Sequence, residues 1–289
     1  MKIGNAMIDG HVQAVIQTKY GIIPISVLDC FDGSSEFLKT DDIIGNSAVI
    51  NSIKESISRI SKSRNLKSSE LEWYPVVTRP QKIVCVGLNY KSHVKETAST
   101  GPDSPVLFAK FLNSLAGYGE KIVIPDETKQ LDYEGELGIV IGKNGKNISE
   151  NRSMDYIFGY FIGNDVSARD LQFRTSQWLQ GKSCDNFYPC GPFITTADEI
   201  IDPQNLSLIT KLNGEIRQNS NTSNMIFSIA YLVSYISKFM TLRAGDIIST
   251  GTPEGVILGM PENERVWIKS GDKVTVDIEN MGTLENIFL

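Results

Sequence analysis

Two glutamates, Glu134 and Glu136, stand at the head of a segment that otherwise has the apolar composition of a buried β-strand, Leu137 to Ile141. In a strand, residues i and i+2 point to the same face, so the two carboxylates share one surface. Burying an ionised carboxylate costs several kcal/mol, and a second one nearby adds repulsion. A buried pair must therefore share a proton, meet an arginine or lysine, or bind a metal ion. The alternative is an exposed strand edge on which both glutamates are solvated.

The composition restricts the classes of protein and partner. The chain has 289 residues, 41% hydrophobic and 21% charged, which is typical of a globular protein with a sizeable core. Its net charge of −6 argues against general nucleic-acid binding, because phosphate contacts need clustered lysines and arginines. No apolar run reaches the roughly 20 residues of a membrane helix, and the N-terminus lacks the apolar core of a signal peptide. We therefore expect no nucleic-acid or membrane partner and a cytoplasmic location.

The pattern along the chain divides it into two regions. Residues 1–75 combine short β-type runs with one amphipathic helix, marked by isoleucines at helical spacing between residues 49 and 60. Pro75 and Pro80 then mark an extended linker, because each proline biases its predecessor away from helix. This predicts a small N-terminal domain over 1–75 and a larger domain over 80–289.

The larger region is dominated by short β-rich runs bounded by Gly, Pro, Asn and Asp. This pattern predicts an α+β fold that is predominantly β, with a curled or barrel-like sheet. One full helix is predicted, from Ser223 to Met240. The predicted strands are Ile83 to Val86, Val106 to Phe108, Leu137 to Ile141, Ile157 to Ile162, Ser207 to Leu212, Asp246 to Ser249 and Lys273 to Ile278.

A third acid, Asp165, follows the apolar run Tyr156 to Ile162. At a strand end it would complete a carboxylate triad with Glu134 and Glu136, leaving other coordination positions to water and substrate. Carboxylate oxygens are hard ligands that favour Mg²⁺, Mn²⁺ or Ca²⁺ over zinc. The alternative is that Asn164-Asp165 is an ordinary turn signal.

One of the chain's two histidines, His93, has a carboxylate three residues later, Glu96. On a short helix the two lie on one face, where the carboxylate orients the imidazole to take a proton from water. The alternative is an exposed histidine in a helical turn. The small, polar segment that follows, Thr97 to Pro105, has the composition of a loop that moves over a site.

A lysine, Lys182, lies among glycine, aromatic and turn residues in Trp178 to Asp185. In a cleft its ammonium would balance negative charge that develops on a substrate oxygen. The alternative is a plain surface lysine.

Five motifs follow one another in an order and approximate spacing that resembles the fumarylacetoacetate hydrolase family. The resemblance covers about residues 80 to 289. It implies a mixed β-sheet roll with a small N-terminal α/β domain, usually as a homodimer. The motifs are G-L-N-Y-x-x-H-x-x-E (Gly87 to Glu96), D-Y-E-G-E-L-x-x-V-I-G (Asp132 to Gly142), N-D-V-S-A-R-D (Asn164 to Asp170), G-K-S-x-D-x-x-x-P-x-G-P (Gly181 to Pro192) and T-G-T-P-x-G (Thr250 to Gly255).

The resemblance also implies roles for individual residues. Glu134, Glu136 and Asp165 match the family's Mg²⁺ or Mn²⁺ ligands. The lid pair that activates water is matched by His93 and Glu96, and the lysine facing the substrate by Lys182. The positions where members contact the carboxylate end of the substrate are matched by Arg169, Gln172 and Thr252.

Members of the family act on 2-oxo acids. A divalent ion that binds the carboxylate and 2-oxo oxygen of such a substrate lowers the energy of an enolate, so a bond to C3 can break. Our first hypothesis is a hydrolase that cleaves a 2,4-diketo acid of the acylpyruvate type to pyruvate and a carboxylic acid. The segment Leu232 to Val256 also resembles members that act on 2,4-diketo-3-deoxy sugar acids. The alternative is an oxaloacetate decarboxylase, or an isomerase or hydratase acting on a related 2-oxo diacid. A third interpretation is a metal-binding protein without turnover.

Overall fold

The strand that begins at the two glutamates lies inside a ten-stranded mixed sheet. The computed structural model describes residues 1–31, 38–60, 66–97 and 101–289. The strands in these residues are β1 (Lys2–Ile8), β2 (His11–Thr18), β3 (Gly21–Pro24), β4 (Trp73–Tyr74), β5 (Ile83–Gly87), β6 (Val106–Lys110), β7 (Leu115–Ala116), β8 (Lys121–Ile122), β9 (Leu131–Asp132), β10 (Gly135–Ile141), β11 (Ile157–Asn164), β12 (Ser167–Ala168), β13 (Tyr188–Pro189), β14 (Ile194–Thr196), β15 (Ser207–Leu212), β16 (Glu215–Asn221), β17 (Ile247–Ser249), β18 (Lys273–Ile278) and β19 (Gly282–Phe288).

The α-helices are few and most of them are short, as an α+β fold that is predominantly β requires. Short 3₁₀ turns, such as Thr222–Asn224, lie between several of the elements. The α-helices are α1 (Thr40–Ile43), α2 (Ser47–Arg59), α3 (Lys91–Glu96), α4 (Arg169–Gln172), α5 (Leu179–Lys182) and α6 (Ile229–Phe239). The predicted fold class is confirmed.

The large sheet joins the N-terminal segment to the rest of the chain. Its strand order is β3-β2-β1-β14-β11-β10-β17-β5-β6, and β4 pairs with β1. The junction is the antiparallel pair of β1 and β14, in which Lys2 lies opposite Thr195 and Ile3 opposite Ile194. The division at residues 75 to 80 stays a prediction, and the structure adds that both sides of it share one sheet.

A second, five-stranded sheet has the order β16-β15-β18-β19-β8. Leu137, Ile139 and Ile141 of β10 pack in a core that also contains residues of β15 and β18. Val140, on the other face of β10, packs in a core that contains Ile3 of the N-terminal segment. The strand is therefore buried on both faces, which explains its continuous apolar run.

Gly135, between the two glutamates, belongs to the face that meets the second sheet. A Cβ atom at this position would lie 2.2 Å from Thr210 Oγ1, so a larger residue does not fit without a shift of the second sheet. The E-G-E pattern thus places a tight sheet contact on one face and two carboxylates on the other.

The long helix is shorter than the sequence predicted. It spans Ile229–Phe239 rather than Ser223 to Met240. The backbone N–H groups of Ile226 and Phe227 donate to the backbone and side-chain oxygens of Asn89, which holds these residues outside the helix. Ser228 then caps the helix by accepting a hydrogen bond from the backbone of Tyr231.

None of the helices in the described ranges combines the length and the apolar character needed to cross a membrane.

Candidate active site

The three acids meet where β10 and β11 pair. Gly135 lies opposite Asn164 in this antiparallel ladder, so Glu134, Glu136 and Asp165 fall at the same end. The backbone N–H of Asp165 donates to Glu134 O over 2.9 Å, which fixes the turn after β11. One oxygen from each carboxylate lies within 4.8 Å of the other two, and all three side chains are buried.

Three cations surround the carboxylates. Lys182 Nζ lies 2.8 Å from Glu134 Oε2 and 2.9 Å from Asp165 Oδ2. Arg169 Nη1 lies 2.7 Å from Glu134 Oε1, and Lys110 Nζ lies 2.7 Å from Asp165 Oδ1. These side chains supply the expected positive charge to Glu134 and Asp165, whereas the Glu136 carboxylate accepts from Ser249 Oγ and from the backbone N–H of Gly251.

The two glutamates have opposite pKa shifts. Burial alone would raise the pKa of Glu134, but Lys182 and Arg169 outweigh it and lower the pKa to about 2. Burial and the nearby charges of Asp165 and Glu134 raise the pKa of Glu136 well above its usual range. Glu136 therefore gives up its proton readily only when more positive charge enters. Three converging carboxylates, one of which has its pKa raised by its acidic neighbours, fit a divalent cation.

The predicted histidine pair forms on α3. His93 Nδ1 and Glu96 Oε1 are 2.8 Å apart, and the backbone N–H of Gly255 donates to Glu96 Oε2 over 2.9 Å. A carboxylate beside Nδ1 favours the tautomer with its proton on that nitrogen, which leaves Nε2 free to accept one.

A cavity of about 90 Å³ joins the histidine to the carboxylates. Seven of the nine predicted site residues line it. The two that are not part of the lining are Glu96, which contacts His93, and the fully buried Asp165. The lining is Val86, Gly87, Leu88, His93, Thr97, Phe108, Glu134, Glu136, Arg169, Gln172, Phe173, Trp178, Lys182, Thr252 and Leu258.

The residues predicted to contact substrate also hold the protein together. Arg169 binds Asp132 through Nε and Nη2, and its Nη1 donates to Gln172 Oε1 over 2.9 Å. The Thr252 hydroxyl donates to Gly135 O and accepts from Gln218 Nε2. Their roles toward a substrate stay predictions, as does that of Lys182.

Sequence reasoning assigned no role to three residues that touch this cluster: Lys110, Asp132 and Ser249. Lys110 is a buried lysine at the end of β6. A lysine directly after an apolar strand is the sequence feature that could have indicated it. Asp132 lies in the D-Y-E-G-E motif itself. Ser249 Oγ donates to Glu136 Oε2, a contact between strands that no local pattern marks.

The segment 251–258 connects the two halves of the site. The backbone N–H of Gly251 donates to Glu136 Oε2 over 3.1 Å, and that of Gly255 donates to Glu96. The N–H groups of Ile257 and Leu258 donate to Asp132. One loop therefore fixes the distance between the histidine pair and the acids. Of the loop predicted to move over the site, Thr97 to Pro105, residues 98–100 lie outside the described ranges.

Comparison with known proteins shows the family to which the chain belongs. The family model "Fumarylacetoacetate (FAA) hydrolase C-terminal" matches residues 82–288. The chain is 45% identical over 219 residues to a protein of Rattus norvegicus named oxaloacetate tautomerase Fahd2a, mitochondrial, covering 75% of this chain and 69% of the relative.

Two solved structures match over the full length of the chain. One is a fumarylacetoacetate hydrolase from Exiguobacterium antarcticum, with a TM-score of 0.82, 33% identity and 99% of that chain covered. The other is a 2-hydroxyhepta-2,4-diene-1,7-dioate isomerase from Mycobacterium marinum, with a TM-score of 0.75, 31% identity and 98% covered. With the motifs, the acid cluster and the histidine pair in place, the chain belongs to the fumarylacetoacetate hydrolase family.

Proposed function

We propose that this chain catalyses keto–enol tautomerisation of a small 2-oxo diacid of the oxaloacetate type, with Mg²⁺ or Mn²⁺ as cofactor. The observation that carries the proposal is the His93–Glu96 pair, because His93 lines the same small cavity as Glu134 and Glu136. The rat relative named as an oxaloacetate tautomerase supports the same choice.

The metal role falls to Glu134, Glu136 and Asp165. An ion held there would withdraw electron density from the 2-oxo oxygen and so stabilise the negative charge that develops on it. Lys182 and Arg169 stay ionised in this site, because burial lowers their pKa values less than the neighbouring acids raise them. Both cations therefore favour a negatively charged substrate.

His93 performs the proton transfer. Its Nε2 takes the proton from C3, the C2–C3 double bond forms, and the electron pair of the carbonyl moves onto the oxygen. Glu96 stabilises the imidazolium, which then delivers the proton to that oxygen. The reverse sequence converts enol to keto. No bond to water forms, so the products keep every atom of the substrate.

Hydrolysis of an acylpyruvate is the second candidate. The same histidine pair can activate a water molecule for attack on a 4-keto carbon, and the matching hydrolase structure from Exiguobacterium antarcticum supports this reaction. Decarboxylation of oxaloacetate also proceeds through the enolate, but it releases carbon dioxide and needs no activated water.

One experiment separates the candidates. The purified chain with Mn²⁺ is given the enol form of oxaloacetate, and the ultraviolet band of the enol and the pyruvate formed are measured together. We expect loss of the enol band well above the spontaneous rate with no pyruvate. Pyruvate formed in step with enol loss would overturn the proposal in favour of decarboxylation. No acceleration, with pyruvate release from acetylpyruvate, would favour the hydrolase, and inertness toward both would favour a binding protein.

The assembly and location follow as further proposals. We infer a homodimer, which the exposed apolar residues after the edge strand β6 support. For location the cytoplasm remains our prediction, although the rat relative is named as mitochondrial.

A further inference from the structure

The carboxylate of Glu136 is held through one oxygen. In the described part of the chain its side-chain hydrogen bonds fall on Oε2, which accepts from Ser249 Oγ and from the backbone N–H of Gly251. The Ser249 hydroxyl in turn accepts from Tyr188 OH over 2.7 Å. Ser249 and Tyr188 are both fully buried and neither borders the cavity. Two donors on Oε2 leave Oε1 as the oxygen available to a ligand.

Glu136 differs in this respect from the other two acids. Oε1 of Glu134 contacts the guanidinium of Arg169, and Oδ1 of Asp165 contacts the ammonium of Lys110. Glu136 receives neutral donors instead. Its orientation therefore depends on hydrogen-bond direction, which is a stricter requirement than attraction to a charge.

The two donors belong to a rigid part of the fold. Ser249 ends β17, where it lies opposite Gly138 of β10 and beside Cys85 of β5. Tyr188 lies on β13, and its ring packs edge-on against Phe161 with the centroids 6.3 Å apart. Because both are fixed by strand pairing or core packing, the Tyr188–Ser249–Glu136 chain cannot rotate freely.

We propose that Ser249, held by Tyr188, is a positioning residue that fixes Glu136 Oε2 and so directs Oε1 toward the divalent ion. The inference rests on the metal site of the proposed function. The two buried hydroxyls act on the ion through Glu136 and touch neither substrate nor metal. Removing a partner that orients a metal ligand typically costs 10- to 100-fold in affinity.

The test is the dissociation constant of Mn²⁺ measured by titration calorimetry without substrate. We expect Ser249→Ala to weaken Mn²⁺ binding by about 10-fold or more. The matched control is Thr250→Val, because Thr250 is the next residue, is equally buried, and donates to Leu137 O over 2.8 Å rather than to a metal ligand. The control should lose stability to a similar degree in thermal melting and keep the wild-type dissociation constant.

A second variant keeps the test decisive if Ser249→Ala does not fold. Tyr188→Phe retains the bond from Ser249 to Glu136 and removes only the outer hydroxyl, so we expect a smaller loss of affinity, about two- to fivefold. Wild-type affinity in the folded variants would overturn the positioning role while leaving the metal site intact. A wild-type chain that binds no Mn²⁺ would overturn both.

Discussion

At the scale of single residues, two acids of the site that are close in sequence have opposite pKa shifts. Glu134 and Glu136 are two residues apart and share a face, yet the pKa of one is lowered to about 2 and that of the other is raised. The difference comes from which cations each one touches, since Arg169 and Lys182 both contact Glu134. Spacing along a strand brings carboxylates together, and long-range partners then decide which one is charged.

The histidine pair gives the sharpest test at this scale. We expect His93→Ala to lower kcat by at least about 10²-fold, because the proton acceptor is lost. Glu96→Gln should lower it less, by about 10-fold or more, because the imidazole remains but its charged form loses a carboxylate partner. The rate of enol loss measures both.

His11→Ala is the control for that measurement. His11 is the other histidine of the chain and begins β2, in the N-terminal segment. Its variant should retain the wild-type rate. Full activity in His93→Ala would contradict the assigned proton transfer.

At the scale of elements, the sequence predicted best those strands that alternate in burial. Ser207–Leu212 alternates between partly and fully buried residues, and it was predicted with its observed limits. Residues 223–228 were predicted as helix because their composition permits it, but Asn89, far away in sequence, binds their backbone instead. The three acids and the histidine pair were found because each lies in a local motif. Lys110 and Ser249 were not, since their contacts exist only after distant strands have paired.

The ion pair between Lys54 of helix α2 and Asp198 predicts an effect of pH on stability. Burial tends to raise the pKa of Asp198, but hydrogen bonds from Lys54 and Thr196 lower it to about 2. Asp198 binds a proton more tightly in the unfolded chain than in the folded one. The ionised carboxylate therefore stabilises the folded chain above about pH 4, and this stabilisation is lost as the pH falls toward 2.

We therefore expect Asp198→Asn to destabilise the chain at pH 6 and to make no difference near pH 2. Urea unfolding at the two pH values measures the effect. Lys54→Met should reduce the pH-dependent difference, since its ammonium lies 2.7 Å from Asp198 Oδ2 and the hydrogen bond from Thr196 remains. Both side chains are largely solvent-exposed, so the change will be small. An equal effect of Asp198→Asn at both pH values would contradict this account.

At the scale of the whole molecule, the large sheet ends in an edge that carries apolar residues. β6 is the last strand in the sheet order, and Phe111 and Leu112 directly after it are more than half exposed. Adjacent exposed apolar side chains at a sheet edge are typical of a contact with another subunit.

The expected result is a particle of twice the 32.0 kDa chain mass in light scattering. Replacing Phe111 and Leu112 by serine should shift it to the mass of one chain. Ile201→Ser is the control, because Ile201 is also an exposed apolar residue but lies elsewhere on the surface. A wild-type protein with the mass of one chain would refute the dimer.

The pairing of β1 with β14 has a consequence for how the protein is made. During synthesis the N-terminal strands leave the ribosome early, whereas the strand that completes their sheet follows only after Phe193. Until then the start of β1, Lys2 and Ile3, lacks its partner strand, and other nascent chains can attach to this unpaired edge. Contacts of such long sequence separation also form slowly. The nascent chain should thus remain prone to aggregation until β14, at the start of the last third of the sequence, has been translated and has paired with β1.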